Sequence, residues 1–203
     1  MKARTRVRKD YDERRAQILE CALTIFSDRS YDEVSSAELA AAAGVSRGLL
    51  NHYFGTKRDL YLAAVEQLLH VPPIPVPPYV AGAGIRDRVE QSIDGWLELL
   101  ERNQGTWLAA LARTAPGGDD RLGAILDEAR DRAVERITEV VGLTPAARVH
   151  PGVRALLRGY SGMAEATSQE WLRYGRITRE QTRVILQETL LHLIEQVLPQ
   201  ITD

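Results

Sequence analysis

Few residues of this chain have the types and spacing that catalysis needs. Gly159-Tyr-Ser-Gly-Met163 comes close to the Gly-x-Ser-x-Gly turn that exposes a nucleophilic serine, but its fifth residue is wrong and no strand precedes it. Gly82-Ala-Gly84 lacks the third glycine and the strand of a dinucleotide-binding loop. The four histidines show no metal-ligand spacing, and the single cysteine, Cys21, excludes a cysteine-based zinc site. We therefore predict no catalytic residues, no metal site and no cofactor.

The most specific spacing lies in residues 34–60 and is typical of DNA recognition. Ser35 followed by Glu38 is a capping box that opens a short alanine-rich helix, predicted over 36–43. Gly44 then permits a left-handed turn, and Ser46 can cap a second short helix, predicted over 46–52. The two helices are expected to pack against each other through the apolar side chains of Leu39, Ala43, Val45 and Leu50. This geometry allows the second helix to enter the major groove of DNA.

The elements that must position this motif are predicted to be helices. The alternation of apolar and polar residues that marks a strand is nearly absent from the chain. Further predicted helices lie at 10–28, 56–70, 85–102, 105–114, 120–142, 152–175 and 178–199. Asp10 and Glu13 have capping-box spacing at the first of them. Five prolines in residues 72–78 cannot lie inside a helix, so this segment is predicted to be an extended spacer. The fold class is therefore predicted to be all-α.

Charge is unevenly distributed along the 203 residues, although the formal net charge is only −2. The first nine residues hold five positive charges and no acid. This basic arm suggests a local contact with a polyanion, while the alternative is a solvated tail. No apolar run approaches the roughly 18 residues of a membrane span, and no apolar segment of a signal peptide follows the arm. We expect a cytoplasmic protein with no membrane partner.

The run Ala42-Ala-Gly-Val-Ser-Arg-Gly-Leu-Leu-Asn-His-Tyr-Phe54, followed by Lys57 and Leu60, resembles the signature of TetR-like transcriptional regulators. The resemblance implies a three-helix DNA-binding domain that carries the motif, followed by a larger helical domain that binds an effector and dimerises. We accordingly predict a DNA-binding domain over 1–55, with the basic arm at 1–9, and an effector-binding and dimerisation domain over 56–203.

Carried over by position, the resemblance assigns DNA contacts to nine residues. Arg47 and Gly48 stand at the exposed start of the recognition helix, where arginine suits guanine and glycine lets the backbone approach the phosphates. Lys57 is expected to clamp a phosphate at the start of the next helix. The remaining contacts are expected from Ser35, Ser36, Ser46, Asn51, His52 and Tyr53.

Two positions depart from the family pattern. Asn51 stands where the family usually has tyrosine, and asparagine is a good reader of adenine, so the preferred operator sequence is expected to differ. Ser30 closes the first predicted helix where the family tends to have glycine, and a modest local cost is expected at that turn.

The last helix carries apolar residues around about half of its circumference, more than the roughly 100° stripe of a single-sided helix. The surplus predicts burial against both its own domain and a partner, and hence a homodimer, as in the family. Twofold symmetry then predicts a near-palindromic operator. The predicted interface residues are Leu156, Gly159, Trp171, Leu190, Ile194 and Val197.

Large side chains are spread over the helices that form the effector pocket in relatives, namely Trp96, Trp107, Tyr160 and Met163. They are interpreted as the lining of a pocket for a small apolar or aromatic effector, with plain core packing as the alternative. The overall expectation is a homodimeric repressor that releases its double-stranded DNA operator when the effector binds. The alternative is an α-helical enzyme or ligand-binding protein without regulatory DNA binding. The effector, the operator sequence and the choice between repression and activation are not encoded in any motif.

Overall fold

The computed structural model describes residues 2–70, 84–112, 119–143 and 145–202. For residues 2–10, 70, 146 and 147 it describes the backbone only. These ranges are helical almost throughout and contain no strand, so the predicted all-α fold is confirmed. Within them, no helix combines the length and the apolar character needed to cross a membrane. The predicted proline spacer at 72–78 lies outside the described residues.

Contacts divide the chain into two compact units, residues 1–70 with 103–125 and residues 71–102 with 126–203. The first unit, the N-terminal unit, contains α1 (Lys2–Asp28), a 3-10 turn (Tyr31–Glu33), α2 (Ser36–Ala42), α3 (Arg47–Phe54), α4 (Lys57–His70) and α6 (Gln104–Ala112). The C-terminal unit contains α5 (Ile85–Arg102), α8 (Pro145–Val149), α9 (Pro151–Leu172), α10 (Arg179–His192) and α11 (Leu198–Thr202). Helix α7 (Asp120–Val140) begins in the first unit and ends in the second.

Reciprocal side-chain caps fix the starts of α2 and α4. The Ser35 hydroxyl accepts the Glu38 amide at 3.2 Å, and the Glu38 carboxylate accepts the Ser35 amide at 2.8 Å. Thr56 and Asp59 form the same pair at the start of α4. The Thr56 amide donates to the Asp59 carboxylate and the Asp59 amide donates to the Thr56 hydroxyl, both at 3.1 Å. Each box satisfies backbone donors that a helix start leaves unpaired, so both predicted starts are confirmed.

The N-terminal unit is built on buried apolar residues of α1 and α4. The buried positions of α1 are Ile18, Leu19, Ala22 and Phe26, and those of α4 are Leu60, Tyr61, Leu62, Ala64, Val65 and Leu68. Helix α6 packs on α1 so closely that a Cβ at Gly105 would lie 2.0 Å from the Ser27 carbonyl oxygen. The absence of a side chain at Gly105 is therefore what allows these two helices to meet.

The C-terminal unit buries one face from each of α5, α7, α9 and α10. Its core includes Val89, Ile93 and Leu97 of α5, Val134 and Val140 of α7, Val153, Leu157, Tyr160 and Ala164 of α9, and Leu186, Leu190 and Leu191 of α10. Beside this core, the Arg130 guanidinium donates to both oxygens of Glu165 at 2.7 Å, which joins α7 to α9.

The structure corrects several predicted boundaries. Helix α1 begins at Lys2 rather than at Asp10, because residues 2–9 contain no glycine or proline and are mostly good helix formers. The short helix α8 was not predicted. The last predicted helix contains a π-helical turn over Leu193–Val197, which divides α10 from α11.

The expected cost at Ser30 is also absent. Its backbone is extended, with φ −64° and ψ 156°, and does not take the left-handed conformation that favours glycine. Both its amide and its hydroxyl donate to the Glu33 carboxylate, at 2.9 and 2.8 Å. Serine therefore begins the 3-10 turn as an ordinary cap.

Candidate nucleic-acid interface

Helices α2 and α3 are joined by a tight turn around Gly44. Its φ of +65° is the left-handed conformation that glycine adopts without strain. The Gly44 and Val45 amides donate to the carbonyls of Ala41 and Ala40, which closes the end of α2. Ser46 then caps α3, its hydroxyl accepting the Leu49 amide at 3.1 Å. The two short helices therefore form the predicted helix-turn-helix.

One side of α3 is open to solvent from its first residue. Leu50 and Phe54, four residues apart, are buried and fix the helix in the N-terminal unit. The predicted contact residues Ser46, Arg47, Gly48, Asn51 and His52 are all exposed, and Tyr53 is half-buried. A Cβ at Gly48 would approach only the Ser46 hydroxyl, at 4.0 Å. The structure thus gathers the predicted contact residues of α3 on one continuous surface.

Leu49 lies on the same exposed side, and the sequence analysis missed it. It is 38% exposed, which is unusual for leucine in a short helix that buries the neighbouring Leu50. The signal was present in the sequence, because two adjacent leucines are turned about 100° apart on a helix and only one of them can face a small core. A leucine here is suited to apolar contact with a thymine methyl group.

A second missed contact joins α1 to the C-terminal end of α3. The Tyr11 ring lies 4.6 Å from the Tyr53 ring and 6.4 Å from the His52 ring, measured between centroids. One turn further along α1, the Arg15 guanidinium lies 4.9 Å above the Phe54 ring. These contacts span about forty residues of sequence, so no local pattern could have revealed them.

The start of α2 offers less to a phosphate than predicted. In the capping box the Ser35 amide donates to the Glu38 carboxylate, so that amide is not free to bind an anion, whereas the Ser35 hydroxyl acts only as an acceptor. Hydrogen bonds from Ser35, together with one from Arg29, lower the pKa of Glu38 from 4.5 to about 2. The carboxylate is therefore ionised at neutral pH at the very end where the phosphate was expected. Ser35 therefore has a capping role in the structure, and the DNA contacts of Ser35 and Ser36 both stay predictions.

Lys57 also has a role that the sequence did not indicate. Its half-buried ammonium donates to the carbonyls of Tyr31 and Val34, at 2.8 and 2.9 Å. It lies 3.9 Å from the centroid of the Tyr31 ring, in cation–π geometry. These two hydrogen bonds join the start of α4 to the segment before α2, and they use two of the three donors of the ammonium. The phosphate contact of Lys57 stays a prediction.

The predicted dimer residues fall into three groups by their exposure. Leu190 is only 3% exposed and belongs to the chain's own core, so its assignment to a partner surface is wrong. The prediction was based on the broad apolar surface of the last helix. A helical-wheel projection shows how wide that surface is but not which part of it the helix's own domain covers. Gly159 is exposed, and a Cβ there would meet nothing within 4 Å. The other four, Leu156, Trp171, Ile194 and Val197, are half-buried.

The four predicted effector residues are not all in one unit. Trp107 lies in α6 of the N-terminal unit, whereas Trp96, Tyr160 and Met163 lie in the C-terminal unit. Tyr160 is buried and donates its hydroxyl to the Leu186 carbonyl at 3.0 Å. Burial raises the pKa of its phenol. Across the described ranges, no three side chains of His, Cys, Asp or Glu are grouped so that they could hold a metal ion.

Comparison with known families identifies both parts of the chain. Residues 18–64 match the family described as "Bacterial regulatory proteins, tetR family". Residues 85–193 match the family described as "Tetracyclin repressor-like, C-terminal domain". The first match contains the whole helix-turn-helix, and the second spans more than half of the chain.

Individual relatives agree with these matches. The chain is 30% identical over 175 residues to the HTH-type transcriptional regulator BetI of Stenotrophomonas maltophilia, covering 79% of this chain and 80% of that protein. It is 43% identical over 56 residues to the HTH-type transcriptional activator FasR of Mycolicibacterium smegmatis, a match that spans about a quarter of FasR. A solved tetR-family regulator from Streptomyces coelicolor is similar with a TM-score of 0.77 at 26% identity, over 94% of this chain and 86% of that one.

Proposed function

Because this chain belongs to the TetR family of bacterial transcriptional regulators, we propose that it is a homodimeric repressor that releases its operator when a small molecule binds. Members of this family are DNA-binding transcription factors and not enzymes. The division into a DNA-binding domain over 1–55 and an effector-binding and dimerisation domain over 56–203 is part of this proposal. So is a cytoplasmic location, where the operator DNA of a bacterium lies.

The exposed side of α3 is the observation that carries the proposal. Arg47, at the first turn, has the planar fork that matches the two acceptors of guanine, and Asn51 one turn later can pair with adenine. Between them, Gly48 leaves room for a close approach of the backbone to DNA. We assign His52 and Tyr53, at the other end of α3, to backbone phosphates, which position a protein without specifying sequence.

Exposed glycines in α9 support dimerisation. Glycine inside a helix costs about 1 kcal/mol relative to alanine, yet a Cβ at Gly159 or Gly162 would meet nothing within 4 Å. Among the residues that the structure describes, no packing contact accounts for either glycine, whereas close approach of a partner helix would. Val184 and Ile185 of α10 add exposed apolar surface, at 43% and 40%. We propose that α9 and α10 form the twofold interface, which would present the two copies of α3 about 34–36 Å apart.

The effector is proposed to bind in the C-terminal unit beside Trp96 and Met163. Both side chains pack against the apolar core and are only partly buried. An apolar or aromatic molecule suits such surroundings. Coupling between an effector and an operator is typically worth 1–3 kcal/mol, which corresponds to a change in DNA affinity of about 5- to 150-fold. Tyr160 is treated as a core residue, because its hydroxyl already has a backbone partner.

Selection of duplexes from a random library, followed by fluorescence anisotropy, tests the DNA contacts. Wild-type protein is expected to enrich a near-palindrome, and Arg47→Ala to lose about 5- to 150-fold in affinity with relaxed preference at one base pair of each half-site. Arg102→Ala is the matched control, since it removes an exposed arginine of α5 that lies outside the interface. Enrichment of no sequence, or equal effects of the two substitutions, would refute the assigned surface.

Gly159→Leu tests the dimer, because Gly159 is exposed and a Cβ there would meet nothing within 4 Å in the single chain. We expect a folded monomer by sedimentation and a large loss of operator affinity, while Gly123→Leu in α7, also in open space, leaves the dimer intact. The operator complex is then titrated with a panel of apolar and aromatic compounds. Release by a compound that also raises the melting temperature supports the effector role. Unchanged dimerisation of Gly159→Leu would place the interface elsewhere.

A further inference from the structure

Three aromatic rings, each with a hydrogen-bonding group, meet at the C-terminal end of α3. The Tyr11 ring lies 4.6 Å from the Tyr53 ring and 6.4 Å from the His52 ring, and the rings of His52 and Tyr53 lie 5.8 Å apart, measured between centroids. Among the residues that the structure describes, the two phenol hydroxyls and the ring nitrogens of His52 have no hydrogen-bond partner. Tyr11 is 38% exposed and His52 is exposed, so this cluster lies at the surface.

Arg15, one turn along α1 from Tyr11, brings a positive charge beside this cluster. Its guanidinium carbon lies 4.9 Å from the centroid of the Phe54 ring, at the last residue of α3. Arginine stacks on a ring through the face of its guanidinium, and the N–H groups at the edge then remain available as donors. Arg15 is exposed and forms no ion pair with a carboxylate of the described residues, not even with Asp12, three positions earlier in the helix. Most arginines that the structure describes do form ion pairs.

The core of the N-terminal unit does not require these two side chains. Residues 11–17 are exposed, and the first buried residue of α1 is Ile18. Arg15 lies three residues before Ile18 and Tyr11 lies seven before it, so both continue the helix face that enters the core. Aliphatic side chains would suffice to cover the rings of α3, whereas a phenol hydroxyl and a guanidinium add hydrogen-bond donors at the surface. The family match begins at residue 18 and so assigns no role to either residue.

We propose that Tyr11 and Arg15 form a phosphate-binding site, which continues the surface of His52 and Tyr53 from α3 onto α1. This inference rests on the proposed function, since it requires that α3 faces a DNA duplex. The ligand is the sugar–phosphate backbone beside the half-site that α3 reads. Arginine can hold a phosphate through two N–H groups, and a tyrosine hydroxyl can donate to a phosphate oxygen. Such contacts fix the position of α3 on the duplex and read no base.

The salt dependence of operator binding by the full chain tests the contact of Arg15. Arg15→Met removes the charge and keeps an apolar side chain beside the Phe54 ring. Each phosphate contact contributes about 0.9 to the slope of log affinity against log salt, so the slope is expected to fall by about 0.9 per protomer. The affinity at about 0.15 M salt is then expected to fall roughly 5-fold per protomer. Base preference at the half-site is expected to stay unchanged.

Two further variants separate this contact from general charge and from packing. Arg14→Met removes the same charge one residue earlier, where no hydrogen bond, ion pair or ring contact joins the side chain to the described residues of α3, and is expected to change the slope less. Arg15→Lys keeps the charge and is expected to keep most of the wild-type slope. A wild-type slope in Arg15→Met, or equal slopes in Arg14→Met and Arg15→Met, would overturn the contact of Arg15. Circular dichroism checks that each variant keeps its helical content.

A chemical change in the DNA tests the Tyr11 hydroxyl. In a series of duplexes, each backbone phosphate at and beside the half-sites is replaced in turn by an uncharged methylphosphonate. Tyr11→Phe retains the ring contact with Tyr53 and removes only the hydroxyl, so it is expected to bind the unmodified duplex about 10-fold more weakly. At one position of each half-site, the methylphosphonate is expected to weaken binding of wild type but not of Tyr11→Phe. Additive losses at every position would overturn the contact of Tyr11.

The inference and the proposed function fail in different ways. If Arg15→Met and Tyr11→Phe both bind the selected duplex as wild type does, the inference is overturned, while relaxed base preference in Arg47→Ala leaves the proposed function standing. A wild-type protein that selects no duplex overturns the proposed function itself. A reduced slope in Arg15→Met, together with a loss at one phosphate that depends on the Tyr11 hydroxyl, supports the site.

Discussion

Substitution of Gly105 by alanine is expected to separate two helices that the structure holds in backbone contact. The new methyl group would lie 2.0 Å from the Ser27 carbonyl oxygen and 3.1 Å from that of Phe26. Ordinary van der Waals contact begins at about 3.4 Å, so α6 would have to move about 1.4 Å away from α1. The obstacle is backbone at the end of a long helix, which cannot turn aside as a side chain can.

That displacement also affects a buried polar contact. The hydroxyls of Ser27 and Thr106 share a hydrogen bond of 3.3 Å, and Thr106 is completely buried. Overpacking typically costs 1–3 kcal/mol, and a buried polar group that loses its partner costs about as much again. Because alanine recovers up to 1 kcal/mol of helix propensity, we expect a net loss of about 2–4 kcal/mol in the free energy of unfolding.

Thermal and urea denaturation of the full chain measure this loss. For a chain of this size, a net loss of that magnitude lowers the melting temperature by roughly 5–15 °C. Gly123→Ala, at the first turn of α7, is the matched control, because its methyl group meets nothing within 4 Å. That control is expected to be more stable than wild type by about 0.5–1 kcal/mol. Equal or greater stability of Gly105→Ala would refute the close approach of α1 and α6.

Three further predictions concern caps and ion pairs. Ser46→Ala removes the α3 cap and should cost about 1 kcal/mol in urea denaturation, whereas Ser46→Asn should retain most of that stability. The ionised Glu38 carboxylate stabilises the fold fully above its ordinary pKa of 4.5, and this contribution disappears as pH falls towards the folded-state pKa of about 2. Relative to Glu38→Gln, wild type should therefore lose stability between pH 5 and pH 2; a constant difference between them would contradict this assignment. Arg130→Met leaves the Glu165 carboxylate without its 2.7 Å partner and should cost about 1–3 kcal/mol in urea denaturation, most of it recovered in Arg130→Met/Glu165→Leu. No recovery in that double variant would mean that the loss comes from packing and not from the unpaired charge.

The architecture of the motif could be predicted because its signals are local. The caps of α2, α3 and α4 each join residues three apart, and Gly44 supplies its turn by its own conformational freedom. A resemblance over about fifty residues then indicated the family, and the side chains expected on the open side of α3 are exposed there. These features depend on neighbours within one or two helical turns, which a sequence displays directly.

Other features depend on residues far apart in sequence. The hydrogen bonds of Lys57 are one example, because the carbonyls of Tyr31 and Val34 lie within reach of its ammonium only in the folded unit. Leu190 belongs to a wide apolar surface, and only the packed core shows that its own chain covers it.

The sequence by itself thus determined the helical class, the helix-turn-helix and the family, because short-range capping and periodicity encode them. Tertiary structure alone decided which basic residue is tied inward, which apolar residue is already covered, and that Tyr11 meets the recognition helix. Those outcomes depend on where distant helices cross, and helical periodicity carries no information about crossing points.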